Sequence, residues 1–166
     1  MNSQEIYQLA ANEYGFLESL GYSRMSINKA TFFESEGCVL SITEARYGER
    51  PEILLAFKGL QRFTARPQEL FWYFLDSFQE EWKTIEEAYS SAKIFDQKSM
   101  MEVLIERDIL KRNAWIFTKP LKVTQSNFSG DIKKLNEWHQ RQISQGNFPD
   151  LTEIINQLNA YKSDVD

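Results

Sequence analysis

The sequence predicts an α+β protein: a small antiparallel β-meander packed against helices, with a helical C-terminal half. Three observations carry that reading. Between Ala30 and Lys58, short apolar runs alternate with turn residues and few helix formers intervene, the pattern of two or three antiparallel strands. From Pro67 onward, apolar residues recur at steps of three and four, the helical period. A chain of 166 residues with 12 Phe, 7 Tyr and 4 Trp has ample core material for one domain over residues 1–161. Such a length buries roughly two thirds of the unfolded surface, and residues 162–166 are expected to fray.

Taken in order, residues 3–20 read as one helix. Ser3 can cap it, Ile6, Leu9, Ala10, Leu17 and Leu20 share a face, and Gly21 stands where a glycine C-cap belongs. Tyr22 to Lys29 reads as a connector. Ser35-Glu36-Gly37 turns the chain, with Gly37 free to take a positive φ. Cys38, Leu40 and Ile42 then alternate with Val39, Ser41, Thr43 and Ala45. Tyr47-Gly48-Glu49-Arg50-Pro51 makes a second turn, and Ile53, Leu55 and Phe57 line one face of the returning strand. So small a strand set cannot bury its own apolar face, so helices must cover it.

After an irregular stretch past Gly59, Pro67 opens the strongest helix, proline being well suited to a first turn. Phe71, Phe74, Leu75, Phe78, Trp82, Ile85 and Tyr89 form one continuous stripe, which makes this helix the expected lid of the sheet. Trp72 and Tyr73 lie off the stripe. Either a later helix covers them or they belong to a partner surface, since exposed aromatics beside acids are typical interface anchors. Asp96 can cap a helix through Arg112, striped by Met101, Leu104, Ile105 and Ile109 and widened by Met100, Val103 and Leu110. Trp115-Ile116-Phe117 is an edge strand or a packed loop stopped by Pro120, and Lys119 to Ser126 reads as loop. Ser129 and Asp131 start a helix to Ser144 that buries Ile132, Leu135, His139 and Ile143. Asp150 and Glu153 form a capping-box-like pair before Leu151, Ile154, Ile155, Leu158 and Tyr161.

The polar inventory offers little chemistry. There is one histidine and one cysteine, a hundred residues apart, and no EF-hand spacing, Walker loop or dinucleotide glycine pattern. No cofactor, metal or catalytic residue is therefore assigned. Cys38, mid-strand, reads as a small core residue, and His139 beside Trp138 as a hydrogen-bonded structural histidine. One cysteine excludes an internal disulfide and favours a reducing compartment. With no visible signal pattern and no run long enough to span a membrane, the expected location is cytoplasmic. A net charge of −5 and a pI near 5.1 argue against phosphate neutralisation of nucleic acid. The charge is uneven. Residues 67–110 hold ten acids (Glu69, Asp76, Glu80, Glu81, Glu86, Glu87, Asp96, Glu102, Glu106, Asp108) against four bases (Lys83, Lys93, Lys98, Arg107), a local charge of −6. Charge concentrated in this way steers a cationic protein onto a face.

Tyr14-Gly15-Phe16-Leu17-Glu18-Ser19-Leu20-Gly21-Tyr22, Phe32-Phe33-Glu34-Ser35, Cys38 to Ile42 and Ile53 to Phe57 together form a helix ending in Phe-Leu-x-x-Leu-Gly-Tyr and a meander with a charged second turn. In about a quarter of the chain this arrangement is similar to small α+β immunity proteins of bacterial polymorphic toxin systems and to related uncharacterised families. The resemblance carries over no functional residue. It implies a non-enzymatic, cytosolic, acidic protein that blocks a toxin by occupying its active site or a neighbouring surface. The expected function is accordingly protein binding, with Trp72, Tyr73, Glu80, Glu81, Glu86 and Glu87 as the contact residues and Glu49 and Arg50 as lesser candidates. Two rivals stand beside it. One is a homo-oligomeric scaffold, such as a homodimer, in which Trp72 and Tyr73 meet their own copies. The other is a carboxylate-based hydrolase, which requires a deep pocket with two acids from distant parts of the chain.

Overall fold

The computed structural model describes residues 2–45, 50–57, 63–92, 98–114 and 125–163. The first helix, α1 (Ser3–Glu13), is capped by Asn2 rather than Ser3. The Asn2 side chain accepts the Glu5 N–H while the Glu5 carboxylate takes the Asn2 N–H, a capping box that satisfies two otherwise orphaned donors. The expected single helix to residue 20 is broken. Tyr14 ends α1, and a short turn of helix, α2 (Phe16–Ser19), follows. Gly15 allows the change of course, because a Cβ there would lie 3.0 Å from the Asn12 carbonyl oxygen. Gly21, with φ 92°, takes the left-handed conformation foreseen for it.

Five strands follow in simple meander order: β1 (Ser23–Ile27), β2 (Ala30–Glu34), β3 (Cys38–Thr43), β4 (Glu52–Phe57) and β5 (Phe63–Ala65), every neighbour antiparallel. Two of them correct the sequence reading. The connector Tyr22–Lys29 contains β1, and the irregular stretch before Pro67 contains β5. Both are edge strands, and β1 is largely exposed, so neither carries the apolar run that marks a buried strand. Gly37 turns the chain without a positive φ; Asn28, at φ 51°, is the left-handed residue of the β1–β2 turn. The predicted alternation in β3 and β4 holds. The pairs Cys38↔Phe57, Leu40↔Leu55 and Ile42↔Ile53 share one face, while Val39 and Leu54 lie on the other.

Both faces are covered, so the sheet is the middle of three layers. The first face packs against α1, α3 (Pro67–Phe74) and α5 (Lys98–Arg112), through residues including Ala10, Phe71, Val103 and Ile109. The second, formed by Ala30, Phe32, Val39 and Leu54, packs against Leu151 and Leu158 of the terminal segment and its helix α7 (Thr152–Ser163). Helix is retained through Ser163, two residues into the stretch expected to fray.

The helix expected from Pro67 to Tyr89 is two. Leu75 is extended (φ −118°, ψ 107°), and α4 (Phe78–Ala92) begins beyond it. Only α3 lies on the sheet; α4 turns away to pack along α5, burying Phe78 and Ile85. Periodicity does not reveal the break, since apolar residues keep the same spacing on either side of it. Helix α5 is buried on most of its circumference. The last long helix, α6 (Gln125–Ser144), starts four residues before the predicted Ser129 and ends just before Gly146 at φ 78°. The readings placed on Tyr47 to Glu49, Asp96, Trp115 to Phe117 and Lys119 to Thr124 lie outside the described residues. No helix among the described residues is long and apolar enough to cross a membrane.

Candidate functional site

Four of the sequence-predicted residues, Glu80, Glu81, Glu86 and Glu87, lie on α4. Glu80, Glu86 and Glu87 are exposed and Glu81 is half-buried, with the Asn113 amide donating to it at 3.5 Å. Two of these acids, Glu80 and Glu81, stand in the first turn, where the helix dipole favours negative charge. Trp72 is 51 % exposed, and its ring meets Phe78 edge-on at 4.8 Å; Phe78 in turn meets Trp82 at 6.4 Å. Trp82 donates its indole N–H to Glu86 at 3.1 Å. An aromatic row thus runs from the end of α3 along α4 and finishes on a carboxylate.

Tyr73 goes the other way. Its ring lies 5.0 Å from Trp138 of α6, which meets Phe148 at 5.4 Å. The two alternatives for this pair therefore divide between its members: Tyr73 is partly covered by a later helix, whereas Trp72 stands half in solvent.

The acids of the 67–110 segment divide just as sharply. Glu69 is buried, with one oxygen 2.7 Å from His139 Nε2 and the other accepting the Arg66 N–H at 2.9 Å. That pair ties α3 to α6 and gives His139 the structural role read for it. Glu106 is 0 % exposed and faces Arg50, which also donates to Glu102 at 3.3 Å; the Tyr14 hydroxyl donates to Glu106 at 3.4 Å. Burial works against the charged Arg50, yet Glu106, Tyr14 and Glu102 together outweigh it and raise its pKa. Burial, with Glu106 beside it, raises the Tyr14 pKa well above the usual phenol value. Asp108 and Glu13 hold Arg107, which donates to the Tyr89 hydroxyl at 3.0 Å and joins α1, α4 and α5. Among the described residues of this segment, the carboxylates left for solvent are Asp76, Glu80, Glu86, Glu87 and part of Glu81. Arg50 is thereby an internal tether, its guanidinium engaged by two carboxylates, and Glu49 lies outside the described residues.

Arg50 and Glu106 also line a cleft of about 260 Å³ with Glu52 and Arg66. It holds two acids from distant parts of the chain, as a carboxylate hydrolase requires. Each is faced by a guanidinium: Glu52 accepts from Arg66 at 2.6 and 3.1 Å, and Glu106 from Arg50. Such paired charges bind elements together. Cys38 is fully buried in the core, as read.

No family model, curated protein or solved structure matches this chain.

Sequence reasoning missed Glu69 and Glu106 as interior groups. Glu106 did leave a signal: it falls in phase with Val103 and Leu110, on an otherwise apolar side of α5. The partner of Glu69 is seventy positions away, and no local pattern points to it.

Proposed function

We propose that this chain is a non-enzymatic, inhibitor-like binding protein that neutralises a basic protein domain, in the manner of an immunity protein, through the α4 face and Trp72. One observation carries the reading. Once the described acids of the segment are sorted into paired interior groups and solvent-facing ones, four of the five described acids that face solvent lie on α4, with the half-exposed Trp72 ring at its start. Long-range attraction by such a face raises the rate of encounter with a cationic partner, and a large aromatic supplies the desolvated contact that slows departure.

The test is co-expression with the cationic toxic domain of a large secreted protein encoded immediately upstream of this chain's gene. Rescue of growth, and a complex of the purified pair that survives size-exclusion chromatography, are expected. An isolated gene, or a neighbouring toxic domain that neither binds nor is neutralised, contradicts the proposal.

A further inference from the structure

The sheet has an open edge at β1, and the register defines what that edge offers. Residues 28 and 29 form a two-residue turn between Ile27 and Ala30, with Asn28 left-handed at φ 51°. In such a hairpin the flanking residues are a hydrogen-bonded pair, and bonded and non-bonded pairs alternate from there. Ile27, Met25 and Ser23 therefore bond to β2, while Arg24 and Ser26 direct their backbone N–H and C=O outward. Among the described residues, no backbone bond reaches this outer side. Neither proline nor a bulge blunts it; Arg24 is its one charge.

We propose that this edge is an interface between two copies of the chain, with β1 pairing antiparallel to β1 of the second copy about a two-fold axis at Met25. A second copy fits because the edge is self-complementary in that register alone. Centring on Met25 places Arg24 opposite Ser26 of the second copy, and Ser26 opposite its Arg24, so all four outward groups of each strand are used. Centring on Arg24 sets two guanidinium groups against each other, and centring on Ser26 runs Arg24 past the end of the strand. The faces also agree. Arg24 lies 5.6 Å over the Phe33 ring and Ser26 bonds Thr31 at 3.1 Å, both on the α1 side. Met25 and Ile27 lie on the α7 side, half-buried against the smaller core. Two Met25 side chains then meet across the axis and extend that core from one copy into the next. Tyr22 to Lys29 contains Arg24 and Lys29 but no acid, so the strand itself adds no negative charge between two chains of charge −5; Glu18, 4.0 Å from Arg24, is the carboxylate beside it. A five-residue junction buries less than the roughly 1,000 Å² of a permanent interface, so the pairing is concentration-dependent.

Analytical ultracentrifugation of the full chain from low to high micromolar concentration reads this out. The mass is expected to rise from 19.5 kDa toward twice that value. Ser26→Pro removes an outward N–H and Ser26→Lys places a second cation opposite Arg24; both weaken the rise. Ser26→Asp creates two opposite-charge pairs per dimer and tightens it by roughly twofold to thirtyfold. The opposed signs of S26K and S26D decide the matter even where S26P disturbs folding. A wild type that keeps the single-chain mass at every concentration overturns the proposal whatever S26D does. So does self-association indifferent to all three substitutions. Trp72→Ala leaves this dimer unchanged, which separates it from the binding role of α4.

Discussion

Glu106 shows how much one buried charge decides. It sits at full burial between Arg50 and Tyr14, joining the start of β4 to α5 and the end of α1. Removing one partner of such a pair strands the other, so Glu106→Ala is expected to cost about 3–5 kcal/mol in denaturant unfolding. Replacing both, as Arg50→Met with Glu106→Leu, should recover most of that loss. Asp150 gives a residue-level pH signature. The Thr152 hydroxyl at 2.6 Å, then its N–H at 3.0 Å, hold the Asp150 pKa below the ordinary carboxylate value. A depressed folded-state pKa means that the stabilisation is complete above the unfolded pKa and is lost as pH falls through the folded one. An NMR titration should therefore show Asp150 ionising below a model peptide, and Asp150→Asn should remove that acid-range component of α7 stability. Sequence made Cys38 and His139 legible as interior residues because each stands on an apolar face. It could not show that Glu69 and Glu106 are paired inside the fold, because His139 and Arg50 come from other elements; the Lys98–Glu102 pair at i,i+4 is the kind a sequence can show.

At the scale of elements, the strands and helices with strong patterns were legible and the edges were not. β3 and β4 alternate cleanly, and α5 and α7 carry plain stripes, so each falls close to its expected place. β1 and β5 are strands because a neighbour pairs with them, which is a tertiary cause. The breaks at Gly15 and Leu75 have the same origin: each element turns to follow a different partner while its apolar spacing continues. Helix α7 is the described cover of the second sheet face, and Leu158 is buried there against it. Leu158→Ala is expected to cost about 2–3 kcal/mol and to raise hydrogen exchange in α7 before the rest of the chain. Trp72→Ala, on a half-exposed ring, should cost less than about 1 kcal/mol of stability, so a loss of binding in that variant reports on the surface and not on unfolding.

For the whole molecule, the sequence showed a mid-chain charge of −6, and the fold shows its division. Inside, Arg50 faces Glu106 and Glu102, Arg107 faces Asp108 and Glu13, and Glu69 is buried against His139. The remainder faces solvent mostly along α4 beside the aromatic row from Trp72 to Trp82. The central claim is that this outward charge recruits a cationic protein. Stopped-flow association of the purified chain with the cationic toxic domain proposed as its partner, over a series of salt concentrations, is the decisive measurement. Fast association that slows steeply with salt is expected, and for Glu80→Lys with Glu81→Lys a slower rate with a shallower slope. Identical rates and slopes for the wild type and the charge-reversed chain would contradict it.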